Sequence, residues 1–256
     1  MIKLYKIFGL GRVALACILC SVIATAQIAN TGPAALARQM PTIYAPYLAN
    51  ISRVRILQKR GKLRSTTSSR RGGQTPTTQP PGPFSTAGDT TFQTSQPPFV
   101  PQLLAARLGK TSQERQYIEG VLSKCLTFYT DTAKQKGVPL NDVALALNYY
   151  ISTNYFVYSL GRGPTPPQMS ATRDLIRTNM VQDQAFRQMS DRQKQEAYET
   201  LIVLAGFVDM GYGTSKNSGD TYAAEQFREM AKHNLETLLG VPIDRIHFTN
   251  DGLELN

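Results

Sequence analysis

From Asn141 to Tyr158 the chain carries no Lys, Arg or Glu, and apolar or aromatic side chains fall on every side of a helical wheel. That pattern predicts a helix enclosed by other helices. The segments around it are amphipathic at helical spacing. Ile118, Val121, Leu122, Cys125 and Tyr129 follow Thr111-Ser112-Gln113-Glu114, a capping box, and Gly137 and Pro139 end that helix. Asn141 is the expected cap of the central helix, and Gly161 to Pro164 its end. A third helix opens at Thr165-Pro166 with Met169, Leu175, Ile176 and Met180. A turn around Ala185-Phe186 follows. Ser190 to Gln193 caps a fourth helix, with Tyr198, Leu201, Ile202, Ala205, Val208 and Tyr212 on one face. Gly211 to Gly219 reads as a loop, and a last helix from Thr221 to Leu239 stops at Gly240, with Pro242 beyond it. A short extended piece at 243–249 and a turn at Asn250-Asp251-Gly252 close the chain. Five helices and no convincing strand pair predict an all-α bundle over residues 101–256.

Upstream the periodicity disappears. Residues 27–64 form a basic leader in which Tyr44, Tyr47, Leu48, Ile51, Val54 and Ile56 would line one side of a short helix or strand. Residues 65–100 are rich in Ser, Thr, Pro and Gln with Phe84, Phe92 and Phe99 scattered among them, a composition that predicts a disordered linker.

The first 26 residues read as a signal peptide: Lys3, Lys6 and Arg12, then an apolar run from Val13 to Ile23, then Ala24-Thr25-Ala26. Cleavage between Ala26 and Gln27 is expected. The alternative, a membrane anchor, is too short, because eleven residues span about half of a ~30 Å hydrocarbon core. Neither Cys17 nor Cys20 follows a good lipobox. Loss of both leaves Cys125 alone in the mature chain, so no internal disulfide is available to it. The expected destination is the periplasm or the exterior.

Charge is unevenly divided. Residues 27–100 hold nine basic residues against one acid, Asp89, whereas residues 101–256 hold sixteen basic and seventeen acidic. A basic arm on a neutral body suits an anionic envelope surface. The plainer alternative, a solvated leader, is preferred because charge runs keep segments soluble. Nothing in the pattern signals specific nucleic-acid binding.

Candidate chemistry is sparse, and no pattern calls for a cofactor or a metal. Glu229 and His233 share a helix face, but no further ligand motif accompanies them. His247 reads as an edge or packing residue. Gly211-Tyr212-Gly213-Thr214-Ser215-Lys216 puts Lys after Ser and follows a helix, so it is no phosphate loop. Cys125 lies on an apolar face, where a small buried thiol is usual. Asp209, inside an apolar run, is expected to face solvent. The most unusual cluster is Tyr149, Tyr150, Tyr155 and Tyr158, with Asn148 and Asn154. A groove lined by these tyrosines would suit a sugar or peptide, and core packing is the competing use.

Met189 to Gln195, Tyr198-Glu199 running into Leu201 to Val208, Leu238 to Ile246, and Thr249 to Leu253 together resemble a family of exported bacterial proteins classed only as a domain of unknown function. The likeness spans roughly residues 110–253 and implies an exported helical domain, with no activity and no functional residue to carry over. Two functions compete. One is a non-enzymatic interaction protein, its leader on an anionic surface and its tyrosine-rich helix on a protein partner. The other is a hydrolase or other enzyme using scattered carboxylates such as Glu196 or Glu199 with Tyr198.

Overall fold

A computed structural model describes residues 35–38, 40, 90–94 and 96–255. The apolar start, Ala26 and Gln27, and most of the leader and linker lie outside the described residues. From residue 100 the elements are α1 (Val100–Leu108), α2 (Ser112–Gln135), α3 (Val143–Tyr158), α4 (Pro166–Gln182), α5 (Gln184–Arg187), α6 (Asp191–Asn217) and α7 (Thr221–Leu239). A 3-10 turn (Ile243–Arg245) and two strands, β1 (Ile246–Thr249) and β2 (Gly252–Leu255), follow. The all-α bundle expected from periodicity is present, with α1 and α5 as short additions.

The local signals work as their chemistry requires. Thr111 and Glu114 exchange side-chain and backbone hydrogen bonds, each at 3.1 Å. Ser190 and Gln193 do the same at 2.9 and 3.3 Å. Gly240 closes α7 at φ 68°, a left-handed conformation that glycine adopts without a Cβ clash.

The centre of the bundle is a pair of helices. On α3, Ala144, Ala146, Leu147, Tyr150, Ile151 and Val157 are buried. It packs on α4, α6 and α7. On α6, the consecutive residues Leu201 to Ala205 are each 0% exposed. The sequence marks α6 as amphipathic, yet α2, α3 and α7 enclose its middle on all sides. Close approach is made possible by glycine. A Cβ on Gly206 would lie 2.9 Å from the Cβ of Cys125 in α2, and one on Gly211 would lie 2.1 Å from the Phe227 ring in α7.

Four expectations are corrected. Residues 211–217 are helical, not a loop, because Tyr212 and Ser215 are buried and Gly211 seats the Phe227 ring. Asp142, not Asn141, caps α3: its carboxylate accepts from the amides of Ala144 and Leu145, while Asn141 takes a left-handed φ of 59°. A strand pair does exist, since β1 and β2 form an antiparallel hairpin that packs on α4. The linker expected over residues 65–100 stops short at its C-terminal end. Thr90 and Phe92 are buried, Phe92 donates to the Asn141 carbonyl at 3.1 Å, and Val143 donates to the Thr90 carbonyl at 3.0 Å. In the leader, residues 35–38 and 40 are helical, and Leu36, Ala37 and Met40 are buried in the core.

Two glycines of α6 give opposite expectations. Gly211→Ala overpacks against Phe227 and should cost about 1–3 kcal/mol. Gly213 has open space where a Cβ would go, so Gly213→Ala should gain about 0.5–1 kcal/mol by restricting the unfolded chain. Urea melts of the two variants check both signs.

Candidate functional site

The four tyrosines leave α3 in different directions. Tyr149 meets Tyr129 of α2 with ring centroids 4.9 Å apart. Tyr150 is fully buried. Tyr155 packs edge-on against Phe248 of β1 at 4.8 Å. Tyr158 lies under the Arg228 guanidinium of α7 at 5.6 Å. Helical rotation accounts for this spread, since spacings of one, five and three residues cannot align four rings on one face. Tyr149 turns toward α2 and Tyr150 into the core, whereas Tyr155 and Tyr158, three residues apart, are half-buried neighbours on α3. Asn154 completes a different contact, accepting from Asn234 of α7 at 2.7 Å and donating to the Tyr150 carbonyl at 2.8 Å. Both asparagines are 0% exposed. Asn148 is buried, with its Oδ1 in no hydrogen bond.

Sequence reasoning missed a second aromatic array. Phe92, Tyr198 and Tyr129 follow one another at 5.3 and 6.2 Å, and Tyr149 continues the row. Burial pushes the Tyr198 phenol up to about 12; a hydrogen bond from the Asn141 backbone opposes the rise, and the Asp142 and Glu199 charges add to it. Burial also drives Tyr129 and Tyr149 upward, Tyr149 with help from the charge of nearby Asp209. Asp209 is half-buried beside this row, not fully in solvent. Cys125, buried and 3.6 Å from the Met210 sulfur, is raised to about 12 by burial. A thiol held neutral that firmly is a poor nucleophile.

Two buried carboxylates flank the row. Asp142 accepts from the Thr90 hydroxyl at 2.9 Å, from the amides of Ala144 and Leu145, and from Arg177 of α4 at 2.7 Å. Glu199 of α6 accepts from the amides of Phe99 and Val100 at 2.9 and 3.0 Å and from Gln195 at 2.7 Å. A carboxylate one hundred residues away thus caps α1, where the N-terminal amides and the helix dipole both favour negative charge. Neither acid holds a free oxygen toward an open cleft.

The remaining candidates are separate. His233 is exposed beside Thr237, and Glu229 is exposed too. His247 sits on β1 opposite Glu254. Among the described residues no three His, Cys, Asp or Glu gather as metal ligands. Nor is any described helix long and apolar enough to cross a membrane.

Fold and site define a helical body closed by a C-terminal hairpin, whose buried acids terminate helices. The chain belongs to a family of unknown function (DUF6683), whose model matches residues 10–256. The match extends well upstream of the stretch whose residues carry the resemblance. Comparison with curated proteins finds no match. Comparison with solved structures finds none either.

Glu199→Ala would leave two helix-end amides without their acceptor and take one of two acceptors from the Gln195 amide, and should cost about 2–3 kcal/mol, whereas the less buried Glu196→Ala should stay within about 0.5 kcal/mol. Denaturant melts measure the difference. The raised tyrosines and Cys125 set an alkaline limit. Their folded-state values lie above the unfolded ones, so the folded state holds these protons more tightly. The stability they contribute is full at neutral pH and is lost as pH climbs from about 9 for Cys125 and about 10 for Tyr198 toward about 12. Tyrosinate absorbance should rise together with loss of helical circular dichroism, and Cys125 should resist thiol reagents until then.

Proposed function

We propose that the chain is an exported, non-enzymatic interaction protein that holds an anionic envelope surface through its basic leader. The division of charge carries this proposal: nine basic residues against one acid in residues 27–100, beside a nearly neutral body. The apolar run from Val13 to Ile23 and the Ala24-Thr25-Ala26 pattern support export, with Gln27 as the new N-terminus. The competing hydrolase would draw on Glu199 and Tyr198. Against it, the Glu199 carboxylate is saturated by amides of α1 and Gln195, and Tyr198 is buried against Phe92 and Tyr129. Contact with a protein partner through the tyrosines of α3 would use the half-buried Tyr149, Tyr155 and Tyr158, since Tyr150 is enclosed.

The test has two parts. Intact mass of protein recovered outside the cytoplasm should begin at Gln27; retention of residues 1–26 on membrane-bound protein would overturn export. That protein should then sediment with phosphatidylglycerol vesicles at low salt and dissociate at high salt, because exposed charges are screened over about 8 Å at physiological ionic strength. Changing Arg53, Arg55, Lys59, Arg60, Lys62 and Arg64 to Gln should abolish sedimentation. Undiminished binding by that variant would remove the leader from the function.

A further inference from the structure

Among the described residues, Leu160 and Tyr222 are the large apolar side chains left open to solvent, at 55% and 57% exposure. They lie at the same end of the bundle. The Asn154–Asn234 and Tyr158–Arg228 contacts make α3 and α7 antiparallel, so the C-terminus of α3 and the N-terminus of α7 emerge together. The α6 C-terminus joins them, because only Ser218 to Asp220 separate α6 from α7.

Leu160 is unexpected on two independent grounds. Its φ is 58°, and the Gly161 amide bonds to the Phe156 carbonyl at 2.8 Å, the closure that ordinarily places glycine in this left-handed position. Its side chain also stays more than half exposed there. Local backbone preference and core packing both argue against leucine, and a residue that breaks local rules without a folding benefit points to a surface role.

Cations stand at the same end of the bundle. Arg38 stacks over the Tyr222 ring at 5.2 Å and donates to Gln226. Arg162 is exposed two residues beyond Leu160, and Lys216 lies 6.0 Å from the Tyr212 ring. Beside α7, Asp220 caps the helix and Glu225 pairs with Arg228 at 3.0 Å. The chain that enters here continues from Met40 into six basic residues and no acid up to Arg64.

We propose that this end of the bundle is a docking face for an anionic lipid bilayer. Leu160 and Tyr222 enter the headgroup region, and Arg38, Arg162 and Lys216 meet the lipid phosphates. An exposed aliphatic residue and an arginine-stacked tyrosine, with further Arg and Lys at the same end of the bundle, match the composition that anchors proteins at a membrane interface. This assignment deepens the anionic-surface reading and rests on it. It adds an apolar contact and an orientation that leader charge alone does not supply.

The chain has no tryptophan, so Leu160→Trp and Tyr222→Trp each give a single fluorophore without background. With phosphatidylglycerol vesicles at low salt, both should shift to the blue and be quenched by brominated acyl chains. Sedimentation is read in the same samples. Vesicle binding without any emission change would overturn the docking face while leaving the leader reading intact. No binding at all would overturn both. Leu160→Gly supplies the second arm. Glycine relieves the left-handed strain, so the urea midpoint should rise, while vesicle affinity should fall about tenfold or more through loss of a buried leucine side chain. A residue with a merely structural role would give a lower midpoint and unchanged affinity.

Discussion

Two helices buried over most of their surface, α3 and the middle of α6, impose the main constraint on this fold. In α3 and in the middle of α6 the apolar residues occupy every direction, and neighbours close over them. A polar group on the enclosed face of either helix is cut off from water, and an unmatched one costs several kcal/mol. The Asn154–Asn234 pair is one solution, matching α3 to α7 at a single register. Asp142 and Glu199 are the other solution. Each stands at an end of a buried stretch and accepts hydrogen bonds from amides that a helix start leaves over.

Those carboxylates also tie distant chain to the body. Asp142 reaches Thr90, and Glu199 reaches Phe99 and Val100. Burial of Phe92 against Tyr198 adds an apolar contact to the polar ones. Upstream, Leu36, Ala37 and Met40 enter the same core. The basic run from Arg53 to Arg64 therefore falls, in sequence, between two docked points. The docking face proposed at Leu160 and Tyr222 uses the first of those points.

The tyrosines of α3 show how helical rotation divides a cluster that is continuous in sequence. Four tyrosines within ten residues look like one surface when read along a line. Wrapped at 3.6 residues per turn they address α2, the core, the hairpin and α7 separately. Glu199 shows the converse. In sequence it is one acid on an amphipathic helix, and its role needs the start of α1 beside it, one hundred residues away.

The sequence by itself determined the helices, two capping boxes, the glycine stop at Gly240 and the central place of α3, because these depend on spacing within one or two turns. It also determined the charge division between leader and body. Only the tertiary structure decided that residues 211–217 stay helical, since Gly211 is helical for the sake of the Phe227 ring packed against it. Only it moved the α3 cap to Asp142, paired β1 with β2, and drew Phe92 and Met40 out of segments whose composition predicts no core. The physical reason is common to these cases. Local signals encode hydrogen bonds between near neighbours, whereas burial of a scattered Phe or a lone carboxylate depends on surfaces that exist only after the helices have packed.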